Sequence, residues 1–209
     1  MKSSKRHIWP ELQAAVDYAR EQEVGEDRRD ILHPLIDYIQ ARVDQGKTAH
    51  LNFICTHNSR RSQLAQIWAQ TAAGYFGIPV RCYSGGVEVT AFNERAVASL
   101  KRSGFRIRAE GVGNPVYTVT FSEDGQPIRA FSKLYDNPEN TASGFAAVMT
   151  CSDADENCPF IPGTEMRIPV RYEDPKEFDG TSEEAFRYDQ RSRQIASEMF
   201  FVFSQIKTA

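Results

Sequence analysis

A chain of 209 residues, 41% hydrophobic and 25% charged, has enough apolar material for one folded domain with a sizeable core. Its net charge of −3 and pI near 5.9 exclude a basic nucleic-acid footprint over the chain as a whole. No apolar run is long enough to span a bilayer, and residues 1–10 are basic without the apolar stretch of a secretory signal. The expectation is a cytoplasmic protein with neither a nucleic-acid nor a membrane partner. Its four cysteines, Cys55, Cys82, Cys151 and Cys158, are too few for a disulfide scaffold. They also lack the close C-x2-C pairs of structural zinc, so no metal site is expected.

Residues 8–46 read as a helical pair. Pro10 stands where a helix can start, and Leu12, Ala15, Val16 and Ala19 recur at helical spacing. Gly25 interrupts, and Leu32, Leu35, Ile36, Ile39 and Val43 form a second stripe, with Pro34 expected in its first turn or at a kink. Residues 1–47 are therefore a helical extension, either covering the core or making an oligomer contact, ahead of a main domain over 48–209.

"HLNFICT" (50–56) is a short apolar run, hence a buried strand. "SQLAQIWAQTAAGYFG" (62–77) follows as a helix. "VRCYSGG" (80–86) is a second strand and "NERAVASLKRSGF" (93–105) a second helix. "PVYTVTF" and "PIRAFSKLY" flank Ser122-Glu123-Asp124-Gly125 and predict a β-hairpin within an insertion over 111–142. "FAAVMTC" (145–151) and "RIPV" (167–170) are further strands. Residues 182–206 form a long final helix with Ser182 as its N-cap. Strand–helix alternation predicts an α/β domain with a mainly parallel sheet flanked by helices. Ligands in such folds bind beyond the carboxyl ends of the strands, where both Cys55 and Cys151 fall.

The stretch "CTHNSRRSQ" (55–63) carries the chemistry. A loop between a strand and a helix N-terminus turns backbone N–H groups inward, and the helix dipole favours negative charge there. Thr56, His57, Asn58, Ser59, Arg60, Arg61 and Ser62 are the candidate oxyanion-binding residues. Such a nest, with Arg61, holds Cys55 as a thiolate. Arg61 can grip two oxygens of a tetrahedral oxyanion, Ser62 can donate to the sulfur, and Asn58 can brace the loop. The expected ligand is a small oxyanion such as arsenate, phosphate or sulfate.

This loop resembles the phosphate loop shared by low-molecular-weight protein tyrosine phosphatases and thioredoxin-coupled arsenate reductases. The resemblance covers about residues 50–206, with "YSGGVE" (83–88) and Asp174-Pro175 in the expected order. It implies the low-molecular-weight phosphatase fold, Cys55 as nucleophile and an aspartate before a proline as general acid. "RYEDPKEFDG" (171–180) supplies Asp174, with Asp136 and Asp179 as rivals. "CSDADENCP" (151–159) resembles the arsenate reductase redox segment. It implies a relay in which Cys55 attacks arsenic, Cys151 attacks Cys55, Cys158 attacks Cys151, and external thioredoxin resets the chain.

The plain alternative for Cys151 and Cys158 is structural burial. Against it, Asp153, Asp155 and Glu156 read as an exposed, movable segment. Cys82 reads as core. Arg60 adds positive charge beside Arg61. Gln66 stands where arsenate reductases often carry a glutamate that helps bind a structural monovalent cation. Lys176 and Glu177 stand where phosphatases often carry aromatic residues. Three readings remain: an arsenate reductase without a bound cofactor, a phosphatase acting on phosphotyrosine protein, and a non-catalytic oxyanion or redox sensor.

Overall fold

The structure, a computed structural model, describes residues 8–157 and 160–208. Helix α1 (Pro10–Glu21) starts at its proline, and Leu12, Val16 and Ala19 are buried. Helix α2 (Glu26–Asp44) starts at Gly25, whose carbonyl accepts from the N–H groups of Arg28 and Arg29 at 3.0 Å each. Pro34 therefore lies well inside α2, not in its first turn. It is tolerated because the carbonyl it leaves unpaired, that of Asp30, is on the exposed side. Leu12, Val16, Leu32, Leu35 and Ile39 join the main hydrophobic core, so the two helices cover that core.

The central sheet is parallel, in the order β2 (Val80–Gly86), β1 (Ala49–Cys55), β6 (Phe145–Met149), β7 (Thr164–Pro169). Alternation along β6 divides its side chains between two apolar layers. Ala146 and Val148 face the main core under helices α3 (Arg61–Phe76) and α6 (Glu184–Ser204). Phe145, Ala147 and Met149 face a smaller cluster with Ile54, Cys55, Cys151 and Ile161. Trp68 on α3 is 1% exposed, edge-on to Phe105 at 4.8 Å, with its indole N–H donating to Ser192 Oγ at 2.9 Å. Helix α4 (Glu94–Arg102) is capped by Asn93, whose side chain accepts from the Arg95 N–H. Helix α6 starts at Glu184, not behind a Ser182 cap. Thr181 Oγ1 accepts from the Glu183 N–H at 3.3 Å, and the Glu184 carboxylate accepts from the Gly180 N–H at 2.6 Å.

A second, antiparallel sheet holds β3 (Arg106–Glu110), β4 (Val116–Thr120) and β5 (Ile128–Ala130). The β4–β5 hairpin follows the sequence pattern. Strand β3 does not: it is mostly exposed and charged, so it carries no alternating apolar pattern. The N-terminal segment docks on this sheet. The Trp9 N–H donates to the Phe121 carbonyl at 2.9 Å, and Arg106 lies 3.6 Å over the Trp9 ring. Gly104 makes that approach feasible, since a Cβ there would sit 2.2 Å from the Glu11 carbonyl oxygen.

Strand β2 forms an edge of the parallel sheet, and side-chain amides cover it. Gln70 donates to the Val80 carbonyl at 3.2 Å and accepts from the Cys82 N–H at 2.9 Å. Gln66 donates to the Cys82 carbonyl at 3.3 Å, and Asn140 to the Ser84 carbonyl at 3.0 Å.

Candidate active site

Cys55 closes β1 opposite Gly86 of β2, and the chain then leaves the sheet for five residues before α3 begins at Arg61. The loop carbonyls of Thr56, His57, Asn58, Ser59 and Arg60 all turn outward into protein donors. Thr56 accepts from the Val87 and Glu88 N–H groups at 2.8 and 2.9 Å, and Ser59 from the Asn93 N–H at 2.9 Å. His57 accepts from Ser132 Oγ at 2.8 Å, Asn58 from Gln63 Nε2 at 3.0 Å, and Arg60 from the Leu64 N–H at 2.9 Å. By contrast, no backbone N–H over residues 57–63 has an acceptor among the described residues. Carbonyls out and N–H groups unpaired is the arrangement of an anion nest at a helix N-terminus.

Asn58 makes the turn possible. Its φ of 46° is a left-handed conformation that asparagine tolerates. Its Oδ1 accepts from the Lys133 N–H at 3.0 Å and its Nδ2 donates to Ser62 Oγ at 2.8 Å. Ser62 Oγ is 3.0 Å from Cys55 Sγ. With its oxygen accepting from Asn58, the Ser62 hydroxyl proton is left to serve the sulfur.

Gly86 presses on this loop: a Cβ there would lie 2.8 Å from both Asn58 N and Thr56 O, and 2.7 Å from Glu88 O. These are backbone atoms that cannot swing aside. Gly86→Ala is therefore expected to destabilise the protein by about 1–3 kcal/mol, the usual cost of overpacking. It should also weaken protection by phosphate in thermal melts. Melting and phosphate protection equal to wild type would refute the tight seat assigned to the loop.

Arg61 comes from the first turn of α3 and lies across the loop. Its Nη1 donates to the Tyr172 carbonyl at 3.1 Å and its Nη2 to Asp174 Oδ2 at 2.8 Å, while Nε is buried without a partner. Asp174 Oδ1 accepts from the Lys176 N–H at 3.1 Å, capping the 3₁₀ turn Pro175–Phe178. Of the three candidate aspartates, Asp174 thus pairs with Arg61. Asp179 accepts from the Tyr188 hydroxyl at 2.7 Å, and Asp136 makes no hydrogen bond to the loop among the described residues. The Arg60 guanidinium turns away from the nest, donating to Tyr188 Oη at 2.8 Å. His57 pairs with Glu88 at 3.3 Å on the rim, and Ser59 Oγ donates to the Ala91 carbonyl at 2.6 Å.

Cys151 lies two residues beyond β6 and is 1% exposed. Its sulfur is 3.5 Å from Thr56 Oγ1, which belongs to the residue that follows Cys55, and 3.4 Å from the Ala154 N–H. Thr56 Oγ1 also donates to Asp153 Oδ2 at 2.7 Å. Sequence reading placed Thr56 in the nest and missed this bridge, which joins residues 95 apart.

The acidic run after Cys151 forms the short helix α5 (Ser152–Asn157), with Asp153 and Glu156 exposed as expected, but the Asp155 side chain is only 10% exposed. Arg167 Nε and Arg171 Nε each donate to Asp155 at 2.9 Å. Burial works to raise the Asp155 pKa, but the hydrogen bonds from Arg171 and Arg167 outweigh it and hold the carboxyl below its ordinary value. Cys158 lies outside the described residues.

Cys82 sits on β2 within the main core, where burial pushes its thiol far up, away from thiolate chemistry. Gln66 is buried, and its Oε1 accepts from Ser84 Oγ at 2.6 Å. Among the described residues no group of three His, Cys, Asp or Glu side chains is arranged to hold a metal ion. No helix among them is long and apolar enough to cross a membrane.

No family model matches the chain. It is 30% identical to the arsenate reductase of Bacillus subtilis strain 168 over 141 residues, 68% of this chain and 84% of that protein. It is 28% identical to the arsenate reductase of Bacillus licheniformis over 153 residues, 73% of this chain and 93% of that protein. Solved structures superpose more loosely. An arsenate reductase in the phosphate binding state has a TM-score of 0.46 at 21% identity, covering 76% of this chain and 99% of the other. A low molecular weight phosphotyrosine phosphatase from Vibrio cholerae O395 has a TM-score of 0.47 at 14% identity, covering 75% and 94%. By its 30% identity to the Bacillus subtilis protein over most of that protein's length, the chain belongs to the arsenate reductase family, and it is an enzyme of that type.

Proposed function

We propose that the protein reduces arsenate to arsenite through Cys55, Cys151 and Cys158. The observation that carries this reading is the second thiol at the lip of the nest, Cys151 Sγ 3.5 Å from Thr56 Oγ1. A phosphatase needs only Cys55, Arg61 and an acid, and has no use for Cys151. In the proposed sequence the 57–63 N–H groups and the free Nε edge of Arg61 bind the oxyanion. Cys55 sulfur then attacks arsenic, an arsenic–oxygen bond breaks, and Asp174 protonates the departing oxygen. Cys151 attacks Cys55 sulfur, and the sulfur–arsenic bond breaks with its electron pair passing to arsenic. Arsenite leaves as the Cys55–Cys151 disulfide forms. Cys158 attacks Cys151, freeing Cys55, and an external dithiol of the thioredoxin kind reduces the Cys151–Cys158 bond. A relay reset in this way belongs in a reducing, cytoplasmic compartment.

The second reading is a phosphatase, favoured by the placement of Asp174 beside Arg61 at 2.8 Å. One experiment separates the two: purified protein given arsenate with thioredoxin, its reductase and NADPH, beside an aryl phosphate assay. NADPH consumption that depends on arsenate supports the reductase. Phosphoester hydrolysis without that consumption supports the phosphatase. An oxyanion sensor would turn over neither.

The acid has its own test. Asp174→Asn is expected to slow hydrolysis of an aryl phosphate with a poor leaving group by roughly 10²–10⁴-fold. Hydrolysis of one whose leaving group needs no proton should be much less affected. The same pattern from Asp179→Asn or Asp136→Asn, with Asp174→Asn near wild type, would move the role elsewhere.

A further inference from the structure

Arg60 does not behave as a second cradle arginine. It is the N-cap residue of α3, and its side chain is only 13% exposed. Its Nε donates to Tyr188 Oη at 2.8 Å, and its Nη2 is 3.4 Å from Asp179 Oδ2. The Tyr188 hydroxyl continues the chain, donating to Asp179 Oδ1 at 2.7 Å. Tyr188 is anchored within α6 and fully buried, so the link has a rigid base. Arg60 Nε is also 3.9 Å from Asp174 Oδ1. At the far end, Arg95 of α4 pairs with Glu184 at 2.7 Å and lies 3.8 Å from Asp179. The segment 174–180 therefore lies between three arginines, and its carboxylates are held at both ends.

The two contacts on Asp174 differ in what an oxyanion does to them. Arg61 holds Asp174 through Nη2, and its free Nε lies on the same edge of the guanidinium. A tetrahedral oxyanion gripped in the usual bidentate fashion takes both of these nitrogens. Binding thus draws Arg61 away from Asp174. Arg60 faces Tyr188 and Asp179, outside the nest, so an oxyanion does not compete for it.

We propose that Arg60 is a positioning residue that, through Tyr188 and Asp179, keeps the acid-bearing segment 174–180 over the nest while Arg61 is occupied by the oxyanion. This rests on the reading of Asp174 as the acid, but the positioning can be measured without that reading.

The variants are Arg60→Met, which keeps the length and apolar stem, Arg60→Lys, and Tyr188→Phe, which removes the bridging hydroxyl. Hydrogen exchange is followed by mass spectrometry with saturating inorganic phosphate. In Arg60→Met, amides of residues 174–181 should exchange on the order of tenfold faster than in wild type, with the sheet and α3 unchanged. Tyr188→Phe should move the same amides by less. In the aryl phosphate assay, Arg60→Met should lower kcat by roughly tenfold or more for a poor leaving group, leave a good one near wild type, and leave KM little changed. Arg60→Lys should restore part of the loss. Exchange that rises uniformly, or that does not change over 174–181, overturns the proposal, as does an equal loss of kcat for both leaving groups. Should wild type and Asp174→Asn show the same leaving-group dependence, the acid assignment fails. The exchange result then still decides whether Arg60 holds the segment.

Discussion

Cys55→Ser is expected to remove turnover of both arsenate and phosphoesters while leaving the fold and oxyanion binding in place. Serine is smaller than cysteine, so it fits a site that is 3% exposed, with Ser62 Oγ at 3.0 Å. The nest does not depend on the sulfur, because its carbonyls are anchored by Val87, Glu88, Asn93 and Leu64. What is lost is the nucleophile, since a hydroxyl is far less ionised than a thiol at neutral pH. Arg61→Lys should be impaired nearly as severely, by about 10²–10³-fold, the usual cost of losing oriented oxyanion donors. A single ammonium cannot reach the Tyr172 carbonyl and Asp174 while presenting a flat edge to an oxyanion. The checks are steady-state rates, a thermal melt and phosphate protection of that melt. Wild-type turnover by either variant would remove this loop from the mechanism.

The second large effect concerns the relay. Cys151→Ser and Cys158→Ser are each expected to stop multiple turnovers of arsenate reduction while aryl phosphate hydrolysis continues. Hydrolysis uses the nest and Asp174, whereas in the proposed relay reduction must bring in two electrons from the external dithiol through the outer cysteines. Without Cys158, a Cys55–Cys151 disulfide should accumulate after one arsenate; without Cys151, it cannot form. Passing the disulfide outward requires cysteine α-carbons to come within about 7 Å in turn. The Asp155 pairs with Arg167 and Arg171 restrain that movement, because they tie α5 to β7 and the residues after it. Equal loss of hydrolysis in both serine variants would show that these cysteines support the nest and do not carry electrons.

The parts of the site legible in the sequence are those encoded locally. An apolar strand, a run of small polar residues and an amphipathic helix give β1, the nest and α3 in succession, and Gly86 at the end of β2 marks where the loop is approached closely. The parts that escaped are pairings between distant segments. Arg60 and Tyr188 are 128 residues apart, and Thr56 and Cys151 are 95 apart, so no spacing rule links them. Asp155 looked solvated like its exposed neighbours Asp153 and Glu156 because its counter-ions, Arg167 and Arg171, belong to later segments of the chain. Strand β3 escaped for a different reason: it is held by register with β4, with little apolar alternation of its own. The α6 cap was misread by one residue, Ser182 for Glu183, because Gly180 and Thr181, not Ser182, make the bonds that end the preceding turn.

The central claim is that Cys151 attacks Cys55 sulfur once arsenic is bonded to it, so that an electron pair passes to arsenic and the two sulfurs are left as a disulfide. Reduced protein, treated with one equivalent of arsenate, quenched in acid, alkylated and digested, measures this directly by mass spectrometry. The account predicts a Cys151–Cys158 disulfide in wild type, a Cys55–Cys151 disulfide in Cys158→Ser, and neither when phosphate replaces arsenate. Brisk phosphoester hydrolysis with all three cysteines alkylated after arsenate would contradict it, and the protein would then be a phosphatase.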